Sequence, residues 1–129
     1  HLGASDGGAH ILSFSTYGDT GYLFSNFVRK TPALTLEQAV KKITLDTATI
    51  WGLRDRGVLR DGYIADVTVF DAEEIDRGEE YYKGDVPGDG YPYVRDAQGI
   101  SAVIIGGKIA FQDGEYTDSR QGAIIPGAA

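Results

Sequence analysis

One short segment concentrates the residue types that could do chemistry: Ser5-Asp6-Gly7-Gly8-Ala9-His10. A carboxylate beside an imidazole is a starting point for acid/base or metal chemistry. The residues alone do not require it, because Asp-Gly-Gly is an ordinary turn and its Asp is ordinarily solvated. Ser5 could act as a nucleophile only with a base and an orienting group nearby. No such set is evident, and Ser5 reads as a structural loop residue. His10 has two readings, one as a loop histidine near substrate or metal and one as a side chain that fixes the loop by a hydrogen bond. The second is favoured. His1 sits at the extreme terminus and is read as irrelevant to any site. Tyr81, Tyr82, Tyr91 and Tyr93 could form an aromatic binding surface, but an exposed or packed loop is the favoured reading.

The bulk properties narrow the classes. The chain has 129 residues and a net charge of −7, from 12 basic and 19 acidic residues. Phosphate backbones are held by clustered Lys and Arg, which are absent here, so nucleic acid is not an expected partner. No apolar run approaches the roughly 20 residues needed to cross a bilayer, and no membrane partner is expected. With no cysteine there is no disulfide, thiolate metal site or Cys nucleophile, which fits a cytoplasmic protein. The glycines form no G-x-G-x-x-G fingerprint after a strand, so a nucleotide site is unsupported. The chain opens on His1 and contains no Met, which predicts a piece of something longer.

The elements that must position the segment follow it. Residues 1–19 read as a loop. Tyr22, Leu23, Phe24, Phe27 and Val28 suit one face of a helix ended by Thr31-Pro32. Thr35 with Gln38 three positions on forms a capping box, and Leu36, Ala39, Val40 and Ile43 make the stripe of the helix it starts. A second helix runs from about Thr47 to Trp51 and closes at Gly52. Beyond Gly57 the pattern becomes extended: Val58-Leu59 as a short strand, Asp61-Gly62 as a turn, and Val67 to Phe70 as a strand ended by Asp71. Residues 72–98 are acidic, hold four tyrosines and two of the four prolines, and show no stable period. They are expected to be a long excursion from the sheet. Ile100–Ile105, Gly106-Gly107 and Lys108–Gln112 spell a hairpin with a two-residue turn, and Asp113-Gly114 marks another turn. The tail from Ser119 is loose.

Two segments together carry a resemblance. The Ser5–His10 segment resembles the one that follows the eighth barrel strand in relatives of N-acyl-D-amino-acid deacylases (D-aminoacylases, the amidohydrolase family 3 type). Gly57 to Asp71 is similar to the stretch in which amidohydrolase-superfamily chains leave the barrel and re-enter a small β-domain. Thr35–Val40, Thr47–Leu53 and Ile104–Lys108 match in place and spacing. The resemblance runs from about residue 3 to about 116.

It implies an α+β chain. Residues 1–56 would be the last loop and helices of a metal-dependent hydrolase β/α barrel. Residues 57–116 would be strands of a small β-sandwich carrying the long acidic loop 72–98, and 117–129 a tail. It implies a zinc-dependent hydrolase of C–N amide bonds, acting on a small-molecule amide such as an N-acyl-D-amino acid. A divalent metal lowers the pKa of bound water to about 7, and an adjacent carboxylate takes its proton and returns it to the leaving nitrogen. By resemblance Asp6 is that catalytic residue and a metal-site carboxylate, and Gly7, Gly8 and His10 lie on the substrate side. The family's His-x-His pair and two further histidines are absent from a chain with only two histidines. In isolation it is therefore expected to be inactive, with the remainder of the parent chain as its partner. Its open strand edges predict self-association. The alternative is a stand-alone, non-catalytic β-rich binding or structural module descended from such an enzyme.

Overall fold

The computed structural model describes residues 19–84 and 93–125. Within them, helices precede two antiparallel sheets, an α+β arrangement. A single turn of α-helix, α1 (Asp19–Tyr22), runs into a π-helix (Leu23–Lys30), then α2 (Leu36–Ile43) and α3 (Leu45–Ile50). The Thr35 hydroxyl accepts the Gln38 N–H at 3.2 Å while the Thr35 N–H donates to the Gln38 side chain at 2.9 Å, the reciprocal cap expected for α2. After α3, Gly52 takes the left-handed conformation at φ 71° and ends the helical run.

The helix over Leu23–Lys30 was legible as helix but not as π-helix. Its wider turn brings Leu23, Phe24 and Ser25 all into the interior, more than an α-helical stripe would place there. The core forms here: Phe24 is 2% exposed, Ala39 0% and Ile75 5%, with Leu23 buried beside them. Phe70 closes it, its ring centroid 5.2 Å from that of Phe24. Helices and strands therefore share one apolar interior.

The larger sheet has the strand order β1-β4-β5-β6, formed by β1 (Val67–Phe70), β4 (Ile100–Ile105), β5 (Lys108–Gln112) and β6 (Glu115–Tyr116). The Gly106-Gly107 turn between β4 and β5 has positive φ at both residues, which a primed two-residue turn requires. Asp66 locks that turn. Its carboxylate accepts the Gly106 N–H at 2.8 Å and pairs with Arg56, while the Gly107 N–H donates to the Ala65 carbonyl at 2.9 Å.

Two expectations are corrected. Val58-Leu59 is not a strand: among the described residues no strand pairs with it, and Leu59 stands 85% exposed. Residues 72–98 do leave the larger sheet, but they are not a loop throughout. They hold β2 (Asp76–Tyr82) and β3 (Tyr93–Gln98), which pair as a separate two-stranded sheet. Its chemistry explains why apolar alternation missed it: Glu80 lies opposite Arg95 and Tyr82 opposite Tyr93, so charge pairing and ring contact replace a greasy face. The hairpin leaves the larger sheet and returns to it at one place, where the Asp71 N–H donates to the Gly99 carbonyl at 2.8 Å and Phe70 faces Ile100.

Candidate functional site

The segment that carries Asp6, Gly7, Gly8 and His10 lies outside the described residues, as does His1. The described residues begin at Asp19, at a junction between helix and hairpin. There α1 lies against the foot of the β2–β3 hairpin. Contact there is backbone to backbone: a Cβ on Gly21 would stand 2.6 Å from the Asp76 carbonyl oxygen, so only glycine permits the approach.

Side chains fasten the same junction. The Arg77 guanidinium lies over the Tyr22 ring, 4.2 Å from its centroid. Arg29, from the π-helix, donates to the Ala72 carbonyl at 2.9 Å and the Ile75 carbonyl at 2.7 Å, holding the turn that leads into β2. Lys30 reaches the Asp76 carboxylate at 3.9 Å. The hydroxyl of Ser25, fully buried, lies 3.5 Å from the Tyr22 carbonyl and also faces Asp76. It has one proton to give, and the charged carboxylate is the stronger acceptor.

The electrostatics of Asp76 follow. Burial alone would raise its pKa, but the Ser25 hydroxyl, the Arg77 N–H, Lys30 and Arg29 together outweigh that cost and hold it below the ordinary carboxylate value. The charged form of Asp76 is thus the favoured one, which suits it to anchoring. Further along the hairpin, Arg95 donates to the Gly78 carbonyl at 2.8 Å and pairs with Glu80. A hydrogen bond to Glu80 raises the Tyr93 phenol pKa, with smaller contributions from burial and from the Glu80 and Tyr82 charges. The junction leaves a shallow recess of about 400 Å³ bordered by Tyr22, Lys30, Asp76, Arg77, Arg95 and Gln98. Sequence reasoning missed these residues because each acts on a partner distant in the chain.

Among the described residues no group of three or more His, Asp or Glu side chains could hold a metal ion. The better-placed carboxylates, Asp76, Glu80 and Asp66, are each engaged by a cation. The described part of the chain does not by itself fit a catalytic metal, which takes about three protein ligands and an open position.

The amidohydrolase family model matches residues 2–111, most of the chain. The chain belongs to the amidohydrolase family. An N-acyl-D-aspartate deacylase of Alcaligenes xylosoxydans xylosoxydans is 34% identical over 115 residues, covering 88% of this chain and 21% of the relative. A dihydroorotase of Lactobacillus acidophilus is 34% identical over 95 residues, covering 71% of this chain and 22% of the relative. The crystal structure of D-aminoacylase, described as defining a novel subset of amidohydrolases, superposes with a TM-score of 0.64 at 30% identity, over 81% of this chain and 20% of that one. A second D-aminoacylase structure, equal in likeness, concerns the binuclear metal centre of that enzyme. The chain thus spans about a fifth of the length of these relatives. Within the amidohydrolase family it is D-aminoacylase-like. No helix among the described residues is long and apolar enough to cross a membrane.

Proposed function

We propose that this chain serves a metal-dependent amidohydrolase that cleaves the C–N amide bond of N-acyl-D-amino acids. The observation that carries the reading is the 34% identity to the N-acyl-D-aspartate deacylase over 88% of the chain. In this reading residues 1–56 are the closing loop and helices of a β/α barrel and residues 57–116 contribute strands to a small β-sandwich, followed by the tail 117–129. The metal is zinc, in keeping with the metal centre named for D-aminoacylase, and most of its ligands come from outside this chain. The remainder of the parent chain is the first partner, self-association through open strand edges the second, and the compartment is the cytoplasm.

Asp6 has the central role. An amide nitrogen is a poor leaving group until protonated, and a carboxylate beside the attacking water can take its proton and deliver it to that nitrogen. Gly7 and Gly8 let backbone approach the substrate closely, and His10 borders it.

The test is hydrolysis of N-acetyl-D-aspartate, N-acetyl-D-glutamate and N-acetyl-D-leucine, with their L counterparts, by the full-length metal-loaded protein. Release of the D-amino acid, with kcat/KM reduced by about 10³-fold in Asp6→Asn, is the expected result. Failure to cleave any N-acyl-D-amino acid would overturn the reading. The dihydroorotase relative favours a second one, hydrolysis of a cyclic amide. Turnover of dihydroorotate without deacylation would establish it.

A further inference from the structure

We infer that the recess at the foot of the hairpin binds a free α-amino acid, with Arg77 taking its carboxylate and Glu79 its ammonium group. The recess is bordered by Tyr22 and Lys30 from the helices and by residues of β2 and β3 from the hairpin. Its volume, about 400 Å³, lies within the roughly 300–1,000 Å³ common for small-molecule clefts. Most of the charges around it are already engaged. Asp76 is held by Ser25, Lys30 and Arg29, and Arg95 donates to the Gly78 carbonyl and pairs with Glu80. Arg77 and Glu79 are the exceptions. Among the described residues the Arg77 guanidinium meets the Tyr22 ring but no acceptor, and the exposed Glu79 carboxylate meets no cation or donor. Gly78, which separates them in β2, is buried against Asp96, where a Cβ would stand 2.7 Å from the carbonyl oxygen. The wall between the two charges is therefore bare backbone.

Two opposite charges that border one recess without pairing select against simple ions. A small anion drawn to Arg77 is repelled by Glu79, and a small amine drawn to Glu79 is repelled by Arg77 and Lys30. A ligand that carries both charges close together satisfies both at once, and the main chain of a free amino acid is such a ligand. Arg77 is suited to its part. It lies over the Tyr22 ring, 4.2 Å from the centroid, so it loses little freedom on binding, and a guanidinium fork takes a carboxylate through two hydrogen bonds. The inference does not depend on the deacylase reading. Where that reading holds, the ligand belongs to the class that the reaction releases.

The experiment is a calorimetric titration of the full-length protein at neutral pH with D-alanine and L-alanine. Propionate and ethylamine, which are alanine without its amino group and without its carboxyl group, are titrated beside them. Alanine of at least one hand is expected to bind about tenfold more tightly than either half. Arg77→Gln and Glu79→Gln should each weaken it by about tenfold, the loss of one charge-assisted hydrogen bond. Amide hydrogen exchange over residues 76–79 and 95–98 should slow when alanine is bound. Glu79→Gln, which removes no contact within the protein, should keep the wild-type melting temperature, and it decides alone if Arg77→Gln fails to fold. Propionate binding as tight as that of alanine would make the recess a plain anion site and overturn the inference. Alanine binding that neither substitution weakens belongs elsewhere, and the absence of binding at millimolar alanine leaves the recess without this ligand; either result overturns it as well. A protein that binds alanine as expected but cleaves no amide overturns the deacylase reading and upholds this one.

Discussion

The four-stranded sheet and the β2–β3 hairpin are neighbours in the chain held by opposite means. The sheet is assembled from local instructions: β-branched runs at Val67–Phe70 and Ile100–Ile105, turns at Gly106-Gly107 and Asp113-Gly114, and one clamp from Asp66. The hairpin has little apolar surface of its own. Its strands pair through Glu80 with Arg95 and Tyr82 with Tyr93, and its foot is secured by Arg29 of the π-helix, 43 and 46 positions before the carbonyls it holds. One region is specified by what stands next to what. The other depends on what the fold brings together. Short-range pattern reveals the first kind of structure and is blind to the second.

The sharpest way to break the contrast is at the shared core. Phe24→Ala should cost about 4 kcal/mol, since Phe24 is fully buried against Phe70 and the cavity cannot close. Native-state hydrogen exchange should show the foot of β2 opening together with the helices, before β4 and β5. Next in size is Arg29→Ala, which strips two charge-assisted hydrogen bonds from the turn before β2 and should cost about 2 kcal/mol in a urea titration. Equal loss of protection in the sheet and the hairpin would show that the two regions are not independently held.

These effects bear on what could be read beforehand. The capping box at Thr35 and Gln38, the strand at Val67–Phe70 and the Gly-Gly hairpin were legible because each is decided within a few residues. The π-helix was legible only as a helix, because Leu23, Phe24, Phe27 and Val28 satisfy either period. The hairpin left one signal that pattern reading passed over. Glu80 and Arg95, and Tyr82 and Tyr93, lie equidistant from the centre of the connection between them, the mirror relation of antiparallel partners. At Val58-Leu59 the residue types promised a strand, and among the described residues none pairs with it. Of the candidate site, the Ser5–His10 segment was named from sequence. The junction was not, because a contact such as Gly21 on Asp76 leaves no trace in either residue's surroundings.

Smaller perturbations sharpen the comparison. Asp66→Asn should cost about 1 kcal/mol, weakening the ion pair with Arg56 while leaving the hairpin's exchange untouched. The smallest effect is one of pH. The folded-state pKa of Asp76 is held below its ordinary value of 3.8. It therefore contributes stability that is fully present above that value and lost as pH falls through the lower, folded-state value. Melting temperature between pH 5 and pH 2 should consequently fall more steeply for the wild type than for Asp76→Asn. Parallel curves would mean that the Asp76 charge does no stabilising work at the junction.

The hydrogen bond from Asp71 to Gly99 has a consequence for how relatives can differ. Because β1 and β4 meet across it, everything between is a cassette whose two ends are already joined. Lengthening such a cassette costs little, about 0.6 kcal/mol for each doubling of a flexible loop. Its outer part can thus be rewritten from one amidohydrolase to the next without disturbing the sheet below. Among its described residues, Ala72 and Ile75 to Arg77 are the ones the helices bind in place.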